Sequence, residues 1–102
     1  MSINAKTTGD GKSLTIVIDG RFDASSLNDF RRSYEDVDAA GLESIIVDLQ
    51  KAIHLDSSAL GMLLVLRDFA GGEKSHISIV NCSPEVRKIF TISSFEQLFT
   101  IQ

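Results

Sequence analysis

Apolar residues along this chain recur in two rhythms, one of strands and one of helices, and glycines and small hydroxyl residues mark the changes between them. Leu14-Thr15-Ile16-Val17-Ile18 is β-branched and apolar, bounded by Gly9-Asp10-Gly11 before it and Gly20 after it, and it predicts a strand. Ile3 to Thr7 lies ahead of the glycine-containing turn and completes an expected hairpin. Leu27, Phe30, Tyr34 and Val37 then recur at helical spacing, with Asp23, Ser25 or Ser26 able to cap the helix and Gly41 to end it. Ser44 to Leu49 is a continuous apolar run, the kind buried on both faces in mid-sheet. From Ser57 the rhythm is helical to about Ala70, where Gly71-Gly72 stops it, and His76 to Val80 is a further strand. Ser83-Pro84-Glu85 is a helix start, with a capping hydroxyl, a first-turn proline and an acid at the positive end of the dipole. Ser93-Ser94-Phe95-Glu96 has the form of a capping box opening a final short helix, and Phe99 to Ile101 returns as a short edge strand. Strands alternating with helices predict an α/β fold, a sheet with helices packed mainly on one face.

Composition narrows the class. The chain has 102 residues, 43% hydrophobic and 24% charged, which suits one domain with one core and argues against disorder. A net charge of -4, with Arg31-Arg32 and Arg87-Lys88 the only basic pairs, argues against a nucleic-acid partner. The lone Cys82 forms no internal disulfide, no Cys/His cluster has zinc-site spacing, and a reducing cytoplasm is the expected location. The first residues lack the order of a signal peptide, and the apolar run Ala59 to Leu66 is far short of the ~20 residues that span a bilayer. Membrane insertion is therefore not expected.

The chemistry concentrates at Asp56-Ser57-Ser58, where a strand-to-helix turn puts hydroxyls at a helix start. Helix N-termini offer unpaired N–H groups and partial positive charge, so a hydroxyl there is well placed to carry a phosphate. Adjacency leaves the choice between Ser57 and Ser58 open. Asp56 either caps the helix or orients the serine and meets a partner; Asp23 is likewise a cap or a contact residue. Met62, Leu63, Leu64, Val65 and Leu66 cover the helix nearly all round, so they are mainly core with surplus surface in which Met62 could meet a partner. His54, Asp56 and Ser57 supply the residue types of a hydrolase triad, but the Gly-x-Ser-x-Gly elbow is absent and His76 lies in a strand, so catalysis is not expected. His54 reads as a loop residue at the sheet end. Gly9, Gly11, Gly71 and Gly72 form no phosphate-binding loop, and no cofactor is expected.

Three stretches together resemble the STAS domain of bacterial anti-sigma factor antagonists: Val47 to Leu49 running through Leu55-Asp56-Ser57-Ser58-Ala59-Leu60-Gly61, Asp19-Gly20-Arg21-Phe22-Asp23, and Asn81 to Phe90. The family loop reads approximately Asp-Ser-Ser-Gly-Leu-Gly, and Ala59 departs from it, which a first-turn position at negative φ allows. The resemblance implies one STAS domain over residues 1–102, a central mixed sheet of four to five strands with helices mainly on one face. It implies phosphorylation at Ser57, with Ser58 as fallback, and a partner surface of Asp23, Asp56, Ser58, Ala59 and Met62. The implied partners are an anti-sigma factor with serine kinase activity or a response-regulator fusion, and a Ser/Thr phosphatase that resets the switch; binding would release a sigma factor. The rival within the same fold is a regulatory subunit of an ABC-type membrane transport complex.

Overall fold

The computed structural model describes residues 2–102. Strands β1 (Ser2–Thr7) and β2 (Ser13–Phe22) form the expected antiparallel hairpin. There follow helix α1 (Leu27–Arg32), strands β3 (Ser44–Asp48) and β4 (Ala52–Leu55), helix α2 (Ser57–Phe69), strand β5 (Ile77–Val80), helix α3 (Pro84–Ile92) and strand β6 (Thr100–Ile101). The sheet is mixed, in the order β1-β2-β3-β5-β6, and β2 is parallel to β3, β3 to β5 and β5 to β6. Parallel neighbours need crossovers, and the segments carrying α1, α2 and α3 supply them.

One face of the sheet carries the core. Leu14, Ile16, Ile18 and Phe22 of β2, Ile45 and Val47 of β3, and Ile77 and Ile79 of β5 are buried with Leu63 and Leu66 of α2 and Phe90 of α3. The other face is only half covered, so the expectation that Ser44 to Leu49 is buried on both faces does not hold. Ile46 lies in register between Thr15 and Ser78 and is only half-buried. The apolar run reflects the central place of β3 in the sheet.

The sheet has six strands, against an expected four to five. The addition is β4, which pairs parallel with the far end of β2. Its pairing steps from Gly20↔Ala52 to Arg21↔His54, a bulge that leaves Ile53 unpaired and 75% exposed. His54 is thus a strand residue opposite Arg21, which corrects its placement in a loop.

Helix α1 is shorter than the spacing of Leu27 to Val37 suggests. It ends at Arg32, where the Ser33 hydroxyl donates to the Phe30 carbonyl and the chain continues as turns. Phe30 and Tyr34 are still buried, but Leu27 is 50% exposed. Gly41 ends a separate 3-10 turn, Ala39–Gly41. The capping box at Ser93-Ser94 does not form: Ser94 adopts a left-handed φ of 60°, and Ser93 Oγ donates back to the carbonyls of Ile89 and Phe90. That turn is held by Phe95, which stacks on Phe90 and Phe99 at 5.8 and 5.4 Å.

The start of α3 forms as expected. Ser83 Oγ accepts from Val86 N at 3.2 Å, with Pro84 in the first turn. Ser83→Ala is expected to cost about 1 kcal/mol of stability, read as a lower urea midpoint at unchanged slope, with Ser83→Asp retaining most of it.

Candidate functional site

The site is built by two parallel strands ending side by side. Phe22 closes β2 and Leu55 closes β4, the two are register partners, and both are buried. The residues that follow them, Asp23 and Asp56, therefore leave the sheet together at its carboxyl edge. The Asp56 N–H donates to the Phe22 carbonyl at 3.4 Å, tying one corner to the other.

Each aspartate turns its strand into a helical segment. Asp23 caps the 3-10 turn Ala24–Ser26: its Oδ1 accepts from Ser25 N at 3.0 Å and from the Ser25 hydroxyl, and its own N–H donates to Ser26 Oγ at 3.2 Å. Ser26 is fully buried and donates in turn to the Arg21 carbonyl at 3.1 Å. Asp56 caps α2, its Oδ1 accepting from Ala59 N at 3.2 Å. The capping readings of both residues hold, and both residues remain partly exposed, the Asp23 side chain at 22%.

The hydrogen bond from the Ser25 hydroxyl holds the Asp23 carboxyl below the usual aspartate range; slight burial opposes it, and the Ser25 N–H and the Arg21 guanidinium, 3.4 Å from Asp23, reinforce it. A folded-state pKa below the unfolded one means that this corner gains its stabilisation above the unfolded value and loses it as pH falls through the folded value. A carbon-13 titration of Asp23 is expected to show a midpoint lower than that of the same residue in Ser25→Ala.

Ser57 and Ser58 are the first two residues of α2, and both are exposed. They differ in what lies beside them. Ser58 borders a shallow groove of about 370 Å³ with Ala24, Leu27, Gly61, Met62 and Val65, and Ser57 does not. Ala59 is 0% exposed and offers no surface to a partner, which corrects its place among contact residues. Met62 is 5% exposed, so it belongs mainly to the core and reaches the groove only at its floor; the exposed apolar surplus of α2 is Val65, at 56%, and Leu64. Ala24, Leu27, Gly61 and Val65 are the groove residues that sequence reasoning missed. For Val65 a signal existed: once Ala59, Met62, Leu63 and Leu66 are taken as the core stripe, Ser58, Gly61 and Val65 share the adjoining face.

Among the described residues no hydrogen bond joins His54 to Asp56 or Ser57, no group of three His, Cys, Asp or Glu side chains could hold a metal, and no helix is long and apolar enough to cross a membrane.

Residues 2–102 match the family model described as STAS domain. A STAS-domain containing protein of Pseudomonas aeruginosa is 59% identical over 101 residues, covering 99% of both chains. The structure of the anti-sigma factor antagonist SpoIIAA in its unphosphorylated form superposes with a TM-score of 0.81 at 18% identity, covering 99% of this chain and 88% of that one. The Bacillus cell fate determinant SpoIIAA in its phosphorylated form superposes with a TM-score of 0.74 at 17% identity, covering 99% and 91%. At these identities the structural likeness establishes the fold, a mixed α/β sheet of the kind seen in anti-sigma factor antagonists.

Proposed function

The chain belongs to the STAS domain family, and we propose that it acts there as an anti-sigma factor antagonist, a cytoplasmic protein that works by binding and not by catalysis. Unmodified, it binds an anti-sigma factor, which carries serine kinase activity or is fused to a response regulator, and so frees a sigma factor. Phosphorylated on Ser57 it lets go, and a Ser/Thr phosphatase restores it.

The observation that carries this reading is the exposed Ser57 hydroxyl on the first residue of a 13-residue helix, next to the capping Asp56. Such a position accepts a phosphate at little cost to the fold, because the helix N-terminus favours negative charge. A partner seated on the same corner meets that charge directly. Ser57 is favoured over Ser58 because it directly follows the aspartate in the family's loop pattern, and Ser58 is the fallback acceptor. Asp23 and Asp56 supply the acidic rim of the partner surface.

The test is retention of the anti-sigma factor by tagged variants expressed in the native cells. Ser57→Ala is expected to hold the partner under every growth condition and Ser57→Asp to release it. Equal retention by both, or recovery of a transport ATPase or permease in its place, contradicts the proposal.

A further inference from the structure

The two edges of the sheet are not alike. At one, β6 offers two residues, Thr100–Ile101; at the other, β1 offers six, Ser2–Thr7. An unpaired row of N–H and C=O groups accepts another strand, and proteins guard such edges with short strands, prolines, bulges or charges. The β6 edge is guarded by its brevity. Strand β1 runs in unbroken register with β2, has no proline and carries one charge, Lys6. All of it but Ile3 is exposed.

Pairing with β2 fixes which groups are free. The Thr8 N–H donates to the Ser13 carbonyl at 3.0 Å, and hydrogen-bonded and non-bonded pairs alternate along an antiparallel ladder. Lys6, Asn4 and Ser2 therefore direct their N–H and C=O groups to Thr15, Val17 and Asp19, their register partners. Ile3, Ala5 and Thr7 point theirs away from the sheet. The same alternation sends the groups of Lys12 and Gly20 to the opposite side of β2, where the Lys12 carbonyl accepts from Glu43 N at 2.7 Å and Gly20 N donates to the Lys51 carbonyl at 3.0 Å.

We infer that β1 pairs antiparallel with β1 of a second copy of this chain, about a two-fold axis through Ala5, joining two sheets into one. This register uses every free group: Ile3 meets Thr7 of the second copy, Ala5 meets Ala5, and Thr7 meets Ile3. Paired residues share a face, so the helix layers lie on one side of the joined sheet and the open faces on the other. On the open face Lys6 stands opposite Asn4 of the second copy, an ammonium beside an amide oxygen. A register centred on Lys6 sets two lysines against each other, and one centred on Asn4 carries Thr7 past the start of the strand at Ser2. The edge is thus self-complementary, as a symmetric dimer requires. An edge about 20 Å long supplies less surface than the roughly 1,200 Å² that a stable interface buries. The dimer is a transient one, with a dissociation constant of about 0.1 to 1 mM. Asp56 and Ser57 lie off this edge, so pairing is independent of the proposed switch.

The experiment is sedimentation equilibrium of the full chain at concentrations up to about 1 mM, joined to an isotope-filtered NOE measurement on mixed labelled and unlabelled protein. A monomer–dimer equilibrium is expected, with a contact from Asn4 Hα to Lys6 Hα of the second copy, because backbones approach most closely across non-hydrogen-bonded pairs. Ala5→Pro removes an N–H that the monomer leaves free, and it is expected to weaken association by roughly tenfold or more at an unchanged urea midpoint. Lys6→Pro removes an N–H directed to Thr15 and is expected to lower that midpoint. A monomer at every concentration, association untouched by Ala5→Pro, or intermolecular contacts from another surface overturns the inference. So does a urea midpoint that falls as far with Ala5→Pro as with Lys6→Pro.

Discussion

A phosphate on Ser57 is expected to lower affinity for the anti-sigma partner several-hundred-fold, about 3 to 4 kcal/mol, while leaving the fold intact. The modification adds nearly two negative charges and three acceptor oxygens. Within the molecule these face the N-terminal N–H groups of α2, which welcome an anion. Across the interface they meet a surface matched to a neutral hydroxyl, and the partner must desolvate the phosphate or withdraw. Calorimetry on the purified pair measures the effect, with fully phosphorylated protein and Ser57→Ala titrated against the same partner. Ser57→Ala is expected to match unmodified protein, and thermal melting of the phosphorylated form to equal or slightly exceed it. A loss below tenfold, or a phosphorylated form that melts much lower, contradicts the account.

The largest effect on stability is expected from Phe22→Ala, a loss of about 3 to 5 kcal/mol. Phe22 is fully buried, and its ring lies 5.1 Å from Phe30, which lies 5.6 Å from Tyr34, which lies 4.9 Å from Phe69. This row of rings joins β2 to α1 and to the end of α2. Phe22 also holds the site together, since its carbonyl accepts from Asp56 N and its neighbour is Asp23. Domains of this size have about 5 to 15 kcal/mol in all, so the variant is expected to lose a large share of its stability, with the urea midpoint falling accordingly. Val65→Ala, on the exposed face of the same helix, is expected to stay within about 0.5 kcal/mol. A loss under 1 kcal/mol for Phe22→Ala contradicts the role given to this row.

The layered α/β plan was legible because its strongest signals are local. The alternation of Leu14 to Ile18, the stop at Gly71-Gly72 and the Ser83-Pro84-Glu85 start each act within a few residues, and each appears in the structure at the expected place. What failed depends on pairing over distance. Strand β4 has four residues, and its bulge at Ile53 breaks the alternation that would announce it. Leu27 shares a helical face with Phe30 and Tyr34 by period, yet it opens a six-residue helix after a 3-10 turn and faces solvent. Ser94 matched a capping pattern, but aromatic stacking of Phe95 fixes that corner and the serine takes a left-handed conformation.

The site divides in the same way. Asp56 as a cap and Ser57 as an exposed helix-start hydroxyl follow from local chemistry. The approach of Asp23 to Asp56 does not, because it exists only once β4 pairs beside the end of β2. Ala59 was placed on the partner surface, whereas the helical twist turns it fully inward; Met62, named for the surplus apolar surface of α2, is mostly core and reaches only the floor of the groove, while Gly61 and Val65 come out.

The most direct measurement is phosphosite mapping by mass spectrometry on the protein from its native cells, with the partner-bound and free pools separated before digestion. The account predicts phosphate on Ser57 in the free pool alone, and an anti-sigma factor in the bound pool. Phosphate on Ser57 in protein still bound to its partner, or an unmodified serine under every growth condition with a transporter subunit in the bound pool, would contradict it.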